Sequence, residues 1–179
     1  MDNLNDILNL SNELTSRSFK KGDILQSQGD LNSSAYFVKQ GLLRSYTIDH
    51  KGKEHIFMFA PENWIISDIE SQQFDQPSEL YIECLEDSEV IVLDRQNLVS
   101  STLDYTQFDR MLTLLSRRVG VLQRRIIMMM SATAKERYEQ FIQSYPNLPG
   151  RVPQKMIASH LGITPEALSK IRGQIARNQ

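Results

Sequence analysis
The sequence is poor in the residue types that metal, redox and export chemistry need. It has one cysteine in 179 residues, Cys84. An intrachain disulfide is therefore excluded, and a lone thiol cannot build a Cys-rich zinc or iron–sulfur site. That economy suits a reducing cytoplasm. The three histidines, His50, His55 and His160, are scattered, and no metal ligand set is nominated. No apolar block, Ile126-Ile127-Met128-Met129-Met130 included, exceeds five residues, far short of the roughly 20 that span a bilayer. No membrane partner is expected. The start, Met1-Asp2-Asn3-Leu4-Asn5-Asp6, is acidic and lacks the basic n-region and apolar core of a signal peptide. A cytoplasmic location is expected.

Charge is present but unevenly placed. Residues 1–109 hold 8 Lys/Arg against 19 Asp/Glu (net −11), and residues 110–179 hold 12 against 3 (net +9), within a whole-chain charge of −2. Two modules with different partners are expected. The basic one favours a polyanion, because neutralised phosphates release counterions. A helical bundle kept soluble by its charges is the plainer alternative.

The period of the sequence changes twice. Residues 3–13 read as a short helix. Seven short β-type runs follow, at Leu14–Phe19, Asp23–Gln26, Ala35–Lys39, Leu42–Ile48, His55–Phe59, Leu80–Cys84 and Glu89–Leu93. Turn clusters such as Lys21-Gly22-Asp23, Gln28-Gly29-Asp30 and Asp49-His50-Lys51-Gly52-Lys53 separate them. Many evenly spaced short strands predict a sandwich or closed barrel with room for one small ligand. Both faces of Leu42–Ile48 carry apolar groups. Near residue 105 a helical period begins. Leu112, Leu115, Val119, Leu122, Ile126 and Met129 recur at steps of 3 and 4, a coiled-coil seam that predicts a dimer interface. Arg117, Arg118, Arg124 and Arg125 are expected on the wet face. A helix packed on its own barrel is the alternative. Residues 134–144 read as a further helix with Tyr138, Phe141 and Ile142 inward, ended at Tyr145-Pro146-Asn147-Leu148-Pro149-Gly150.

The strongest local signal runs from Pro153 to Arg172. Ile157 and Leu161 form an inward face, and Ala158 is small enough for a close helix crossing. Gly162 can take the left-handed turn that ends the helix. Thr164 is a helix N-cap, and Pro165 stands at the first helical position, where its missing N–H is harmless. Leu168 and Ile171 pack the second helix back. This is the pattern of a helix-turn-helix, whose second helix enters the major groove. Thr164, Glu166, Ser169 and Lys170 then face the bases, Gln154, Lys155 and Arg172 face phosphates, and Pro165 completes the expected DNA-binding set. An unrelated helical hairpin with a glycine turn is the competing reading.

On these residues the chain resembles the bacterial catabolite-activator/fumarate-nitrate-regulator (Crp/Fnr) family of transcription factors over nearly its whole length. The resemblance rests on the opening helix, Lys21–Asp30, the strand pair Ala35–Arg44, the long helix and the helix-turn-helix. It implies an α+β chain with three parts. Residues 1–104 would be a cyclic-nucleotide-binding-like double-stranded β-helix (jelly roll), 105–131 a dimerisation helix, and 132–179 a winged helix-turn-helix. It also implies a homodimer that binds double-stranded DNA, answers a small-molecule effector and works with RNA polymerase. Nucleotide-binding members hold the cyclic phosphate with a Gly-Glu pair and a following Arg. Here Trp64-Ile65-Ile66-Ser67-Asp68-Ile69 puts Ser67 and Asp68 at the pair. The Arg region, Gln76-Pro77-Ser78-Glu79-Leu80-Tyr81, holds no Arg or Lys. The candidate pocket is Ile66, Ser67, Asp68, Ser78 and Glu79, and a cyclic nucleotide held in the usual way is not expected. Pro165 stands where many members carry a base-reading Arg, so their operator does not carry over. The short Leu148-Pro149-Gly150-Arg151 connection and the nearby end of the chain predict a reduced wing. An enzyme is not expected. Such barrels need clustered His and carboxylate ligands for metal catalysis, and no nucleophile with a positioned base stands out. A sensor acting through a protein partner without reading DNA remains the alternative function.

Overall fold
The computed structural model describes residues 15–31, 33–94 and 105–177. The helix expected at 3–13 lies outside them. The first part is a jelly roll of short strands: β1 (Ser16–Phe19), β2 (Ile24–Gln26), β3 (Ala35–Gln40), β4 (Leu43–Ile48), β5 (Glu54–Ala60), β6 (Ile65–Ile66), β7 (Tyr81–Cys84) and β8 (Ser88–Leu93), with helix α1 (Ile69–Phe74) between β6 and β7. They pair antiparallel in two four-stranded sheets, ordered β1-β8-β3-β6 and β2-β7-β4-β5. Val38, Leu43, Ala60, Ile66, Ile82, Cys84 and Val90 fill the space between the sheets. Gly41 turns β3 into β4 at φ 98°, where a Cβ would lie 2.8 Å from the Asp87 carbonyl oxygen and closer still to Ser88 Oγ. No other residue fits that approach.

Among the described residues four helices follow: α2 (Tyr105–Ser131), α3 (Ala134–Ser144), α4 (Gln154–Leu161) and α5 (Pro165–Arg177). Thr133 starts α3 with a reciprocal capping box to Glu136. A single 3₁₀ turn at Leu148–Gly150 joins α3 to α4, and no strand occurs among the described residues after β8.

The two apolar faces of β4 have separate uses. Leu43 enters the sandwich, whereas Leu42 and Tyr46 face outward into a second core. That core joins Ile56, Phe59 and Leu85 of the barrel to Tyr138, Phe141, Tyr145, Ile157, Leu161, Leu168 and Ile171 of the helices. Barrel and helix-turn-helix therefore share one hydrophobic cluster.

The expectation that Arg118 and Arg125 lie on a wet face is overturned. Both turn toward the barrel, where β5 and β6 are edge strands with free carbonyls. Arg118 Nη1 donates to Ile65 O at 3.4 Å. Arg125 donates to Ile56 O and His160 O, each at 3.3 Å, and to Phe57 O. The guanidinium fork satisfies edge carbonyls that would otherwise be left dry. Arg117 and Arg124 are exposed.

Candidate nucleic-acid interface and sensor cleft
The turn between α4 and α5 is built by local chemistry. Gly162 takes φ 66°, ψ 36°, and the N–H of Ile163 donates to Ala158 O at 3.0 Å. A Cβ on Gly162 would lie 2.8 Å from Met129 Cε, so the turn also seats the end of α2. Thr164 Oγ1 accepts from the Ala167 N–H at 3.2 Å, and Pro165 opens α5. Ala158 and Leu168 are wholly buried, and Ile157, Leu161 and Ile171 nearly so. The opposite side is free. Thr164, Pro165, Glu166, Ser169 and Lys170 are exposed, as are Gln154 and Lys155 at the start of α4, while Arg172 is half-buried. The Glu166 carboxyl is held below the usual carboxylate range by its own backbone N–H and by the Thr164 hydroxyl. An ionised acceptor thus stands at the entry of the second helix.

This pair of helices is clamped to the barrel. Arg151 Nε and Nη2 donate to Glu86 at 3.0 and 2.7 Å. Its Nη1 and Nη2 donate to Glu62 at 2.8 Å, and Nη2 reaches Gly41 O at 3.0 Å. The Glu62 carboxyl is lowered chiefly by Arg151. At the other end of α4, Ser159 Oγ donates to Glu54 O at 2.9 Å and accepts from the Ile56 N–H at 3.1 Å. Between these ties His160 lies against Phe59 and Phe141, with ring centroids at 5.4 and 5.6 Å. Burial, then the neighbouring Arg125, pushes its imidazole down to about 3. Arg151 was not singled out as a site residue, because its carboxylate partners lie 65 and 89 residues away in sequence.

The barrel carries a cleft of about 420 Å³ lined by Gln28, Asp68, Glu70, Gln76, Ser78 and Glu79 among others. Of the expected pocket residues, Asp68, Ser78 and Glu79 come together there. Ile66 instead points into the sandwich core, and Ser67 is buried without lining the cleft. Asp68 N-caps α1 by accepting from the Ser71 N–H at 3.3 Å. It also accepts from Ser78 Oγ at 3.1 Å and the Glu79 N–H at 2.9 Å. The donors that could cradle an anion already serve this buried carboxylate. With Glu70 and Glu79 beside it and no Arg or Lys in the lining, the cleft does not fit a cyclic phosphate.

Among the described residues no helix is long and apolar enough to cross a membrane, and no group of three His, Cys, Asp or Glu could hold a metal ion. Residues 16–101 match the family model of the cyclic nucleotide-binding domain. Over 192 residues the chain is 25% identical to the transcriptional activator protein FnrA of Stutzerimonas stutzeri, covering 99% of this chain and 75% of that one. The structure of FixK2 from Bradyrhizobium japonicum superimposes with a TM-score of 0.77 at 18% identity, covering 92% of this chain and 85% of the other. A transcriptional regulator of the CRP/FNR family from Thermus thermophilus does so with a TM-score of 0.70 at 21% identity, covering 92% and 87%.

Proposed function
We propose that this chain, a relative of the Crp/Fnr regulators by fold and by full-length similarity, is a homodimeric, sequence-specific DNA-binding transcription regulator of the cytoplasm. The observation that carries the reading is the α4–Gly162–α5 unit. Its apolar sides are sunk into a common core, and its polar side, from Thr164 to Lys170, is left open. Such an arrangement offers Ser169 and Lys170 to base edges and Gln154, Lys155 and Arg172 to phosphates.

The dimer part of the proposal rests on α2. Leu112, Leu115, Val119, Ile126 and Met129 are between 44% and 61% exposed, and only Leu122 of the expected seam is half-buried. An apolar band of that length is expected to be covered by the same band of a second copy. Residues 1–104, 105–131 and 132–179 would then be sensor, dimer helix and reader. Effector control would act through the cleft at Asp68 and the contacts of the barrel with α2 and α4. The effector is expected to be uncharged or cationic, because Asp68, Glu70 and Glu79 repel anions. RNA polymerase is the expected protein partner.

The test is binding to random-sequence duplex DNA, followed by fluorescence anisotropy across a salt series. The reading predicts an association constant that falls linearly on a log–log plot as phosphate contacts release counterions. No binding at low salt would overturn it and leave the sensor acting through a protein partner.

A further inference from the structure
The hairpin joining β4 to β5 brings positive charge to an end of the acidic barrel, beside the helix-turn-helix. Its tip is Asp49-His50-Lys51-Gly52-Lys53, with residues 50–53 exposed. The tip is tightly ordered. Asp49 Oδ1 accepts from the Lys51 N–H at 2.9 Å and the Lys53 N–H at 3.0 Å, and its Oδ2 lies 2.8 Å from His55 Nε2. The Asp49 N–H donates to Lys53 O, and the Gly52 N–H to Asp49 O. The Asp49 carboxylate is thus spent on its own loop. The next carboxylate, Glu54, is drawn away to Arg44 at 2.5 Å. Neither lysine ammonium has a carboxylate partner among the described residues.

The position of this tip follows from the direction of α4. Arg151, before α4, is held at Glu62 and Gly41, beyond the end of β5. Ser159, near the end of α4, is held at Glu54 and Ile56, at the start of β5. Helix α4 therefore runs back along β5 toward the hairpin. Three residues past Ser159 the chain turns at Gly162 into Thr164 and Pro165, the entry of the recognition helix. The hairpin that precedes Glu54 thus lies toward the turn and the start of α5, and Ser159, donating to Glu54 O and accepting from the Ile56 N–H, holds the adjoining start of β5 there.

Resting on the DNA-binding reading above, we propose that Lys51 and Lys53 contact the phosphate backbone beside the recognition helix, so that the sensor barrel itself supplies a flanking DNA contact. The short 3₁₀ connection between α3 and α4 leaves that flank without a strand hairpin of its own among the described residues. Contacts of this kind add affinity and register without reading sequence.

The experiment compares the wild type with the double variant Lys51→Ala/Lys53→Ala and with Lys170→Ala, on a duplex selected by the wild type and on an unrelated duplex, over a salt series. Circular dichroism checks that the exposed substitutions leave the fold intact. The double variant is expected to bind both duplexes several-fold more weakly, by the same factor. Its log–log salt slope should be shallower by roughly 0.9 for each phosphate that is no longer neutralised. Lys170→Ala should instead lose affinity mainly for the selected duplex. Unchanged affinity and slope in the double variant would overturn the hairpin contact while leaving DNA binding standing. Unchanged DNA binding with reduced stimulation of RNA polymerase would also overturn it, since the hairpin would then face a protein. Failure of the wild type to bind either duplex would instead bring down the DNA-binding reading itself, and the hairpin's role with it.

Discussion
His160 ties stability to pH through a single ring. Its imidazole, packed against Phe59, Phe141 and Tyr145 beside Arg125, is pushed down to about 3, whereas the unfolded chain takes up that proton near pH 6.5. Its contribution is complete above about pH 6.5 and is lost as pH falls toward 3, by up to about 1.4 kcal/mol per pH unit. His160→Phe keeps an aromatic in the cluster and removes the titration. The melting temperature of the variant should fall less than that of the wild type between pH 6.5 and 4.5, and parallel curves would contradict the assignment. At this scale the sequence was legible where the chemistry is local. Gly162, Thr164 and Pro165 each do what their residue type dictates in a turn or cap. Arg118, Arg125 and Arg151 were not, since a charged side chain gives no sign of which distant carbonyl or carboxylate it will meet.

Among the elements, α4 depends most on its ties. Arg151 joins its approach to Glu62 and Glu86, with the guanidinium side chain 24% exposed and the two carboxylates 37% and 35%. Removing it takes the charged donor from both carboxylates and from the Gly41 carbonyl, and leaves Glu62 with the Gly41 N–H at 3.2 Å. Arg151→Ala is expected to cost about 1–3 kcal/mol, read as a lower urea midpoint, and an unchanged midpoint would mean that the clamp adds nothing. The strands were readable to within about two residues because glycine turns and a period of two mark them. Strand β6, only two residues long, and α1, whose Ile-Glu-Ser-Gln-Gln-Phe has no apolar stripe, carry too little pattern to be seen. The two-sided apolar character of Leu42–Ile48 was visible. Its cause, a second core beneath the helices, was not, because that core pairs residues about a hundred positions apart.

For the whole molecule, the division into an acidic barrel and a basic reader follows from the sequence, whereas their fusion through one core does not. That fusion means the barrel is tied to α4, through Ser159 and Arg151, and α4 in turn packs with α5 in the shared core. A dimer joined along α2 would set the spacing of two such helices. Leu115→Glu with Val119→Glu places charge in the exposed apolar band and should give a monomer by sedimentation, with DNA affinity reduced at least tenfold. A dimer of unchanged mass would move the interface elsewhere. Selection of duplexes from a random pool by the purified full chain tests the central claim most directly. The account predicts enrichment of a two-fold symmetric site with half-sites about one helical turn, roughly 34 Å, apart, and enrichment unaffected by added cyclic AMP. A pool that stays random after repeated rounds at low salt would contradict it.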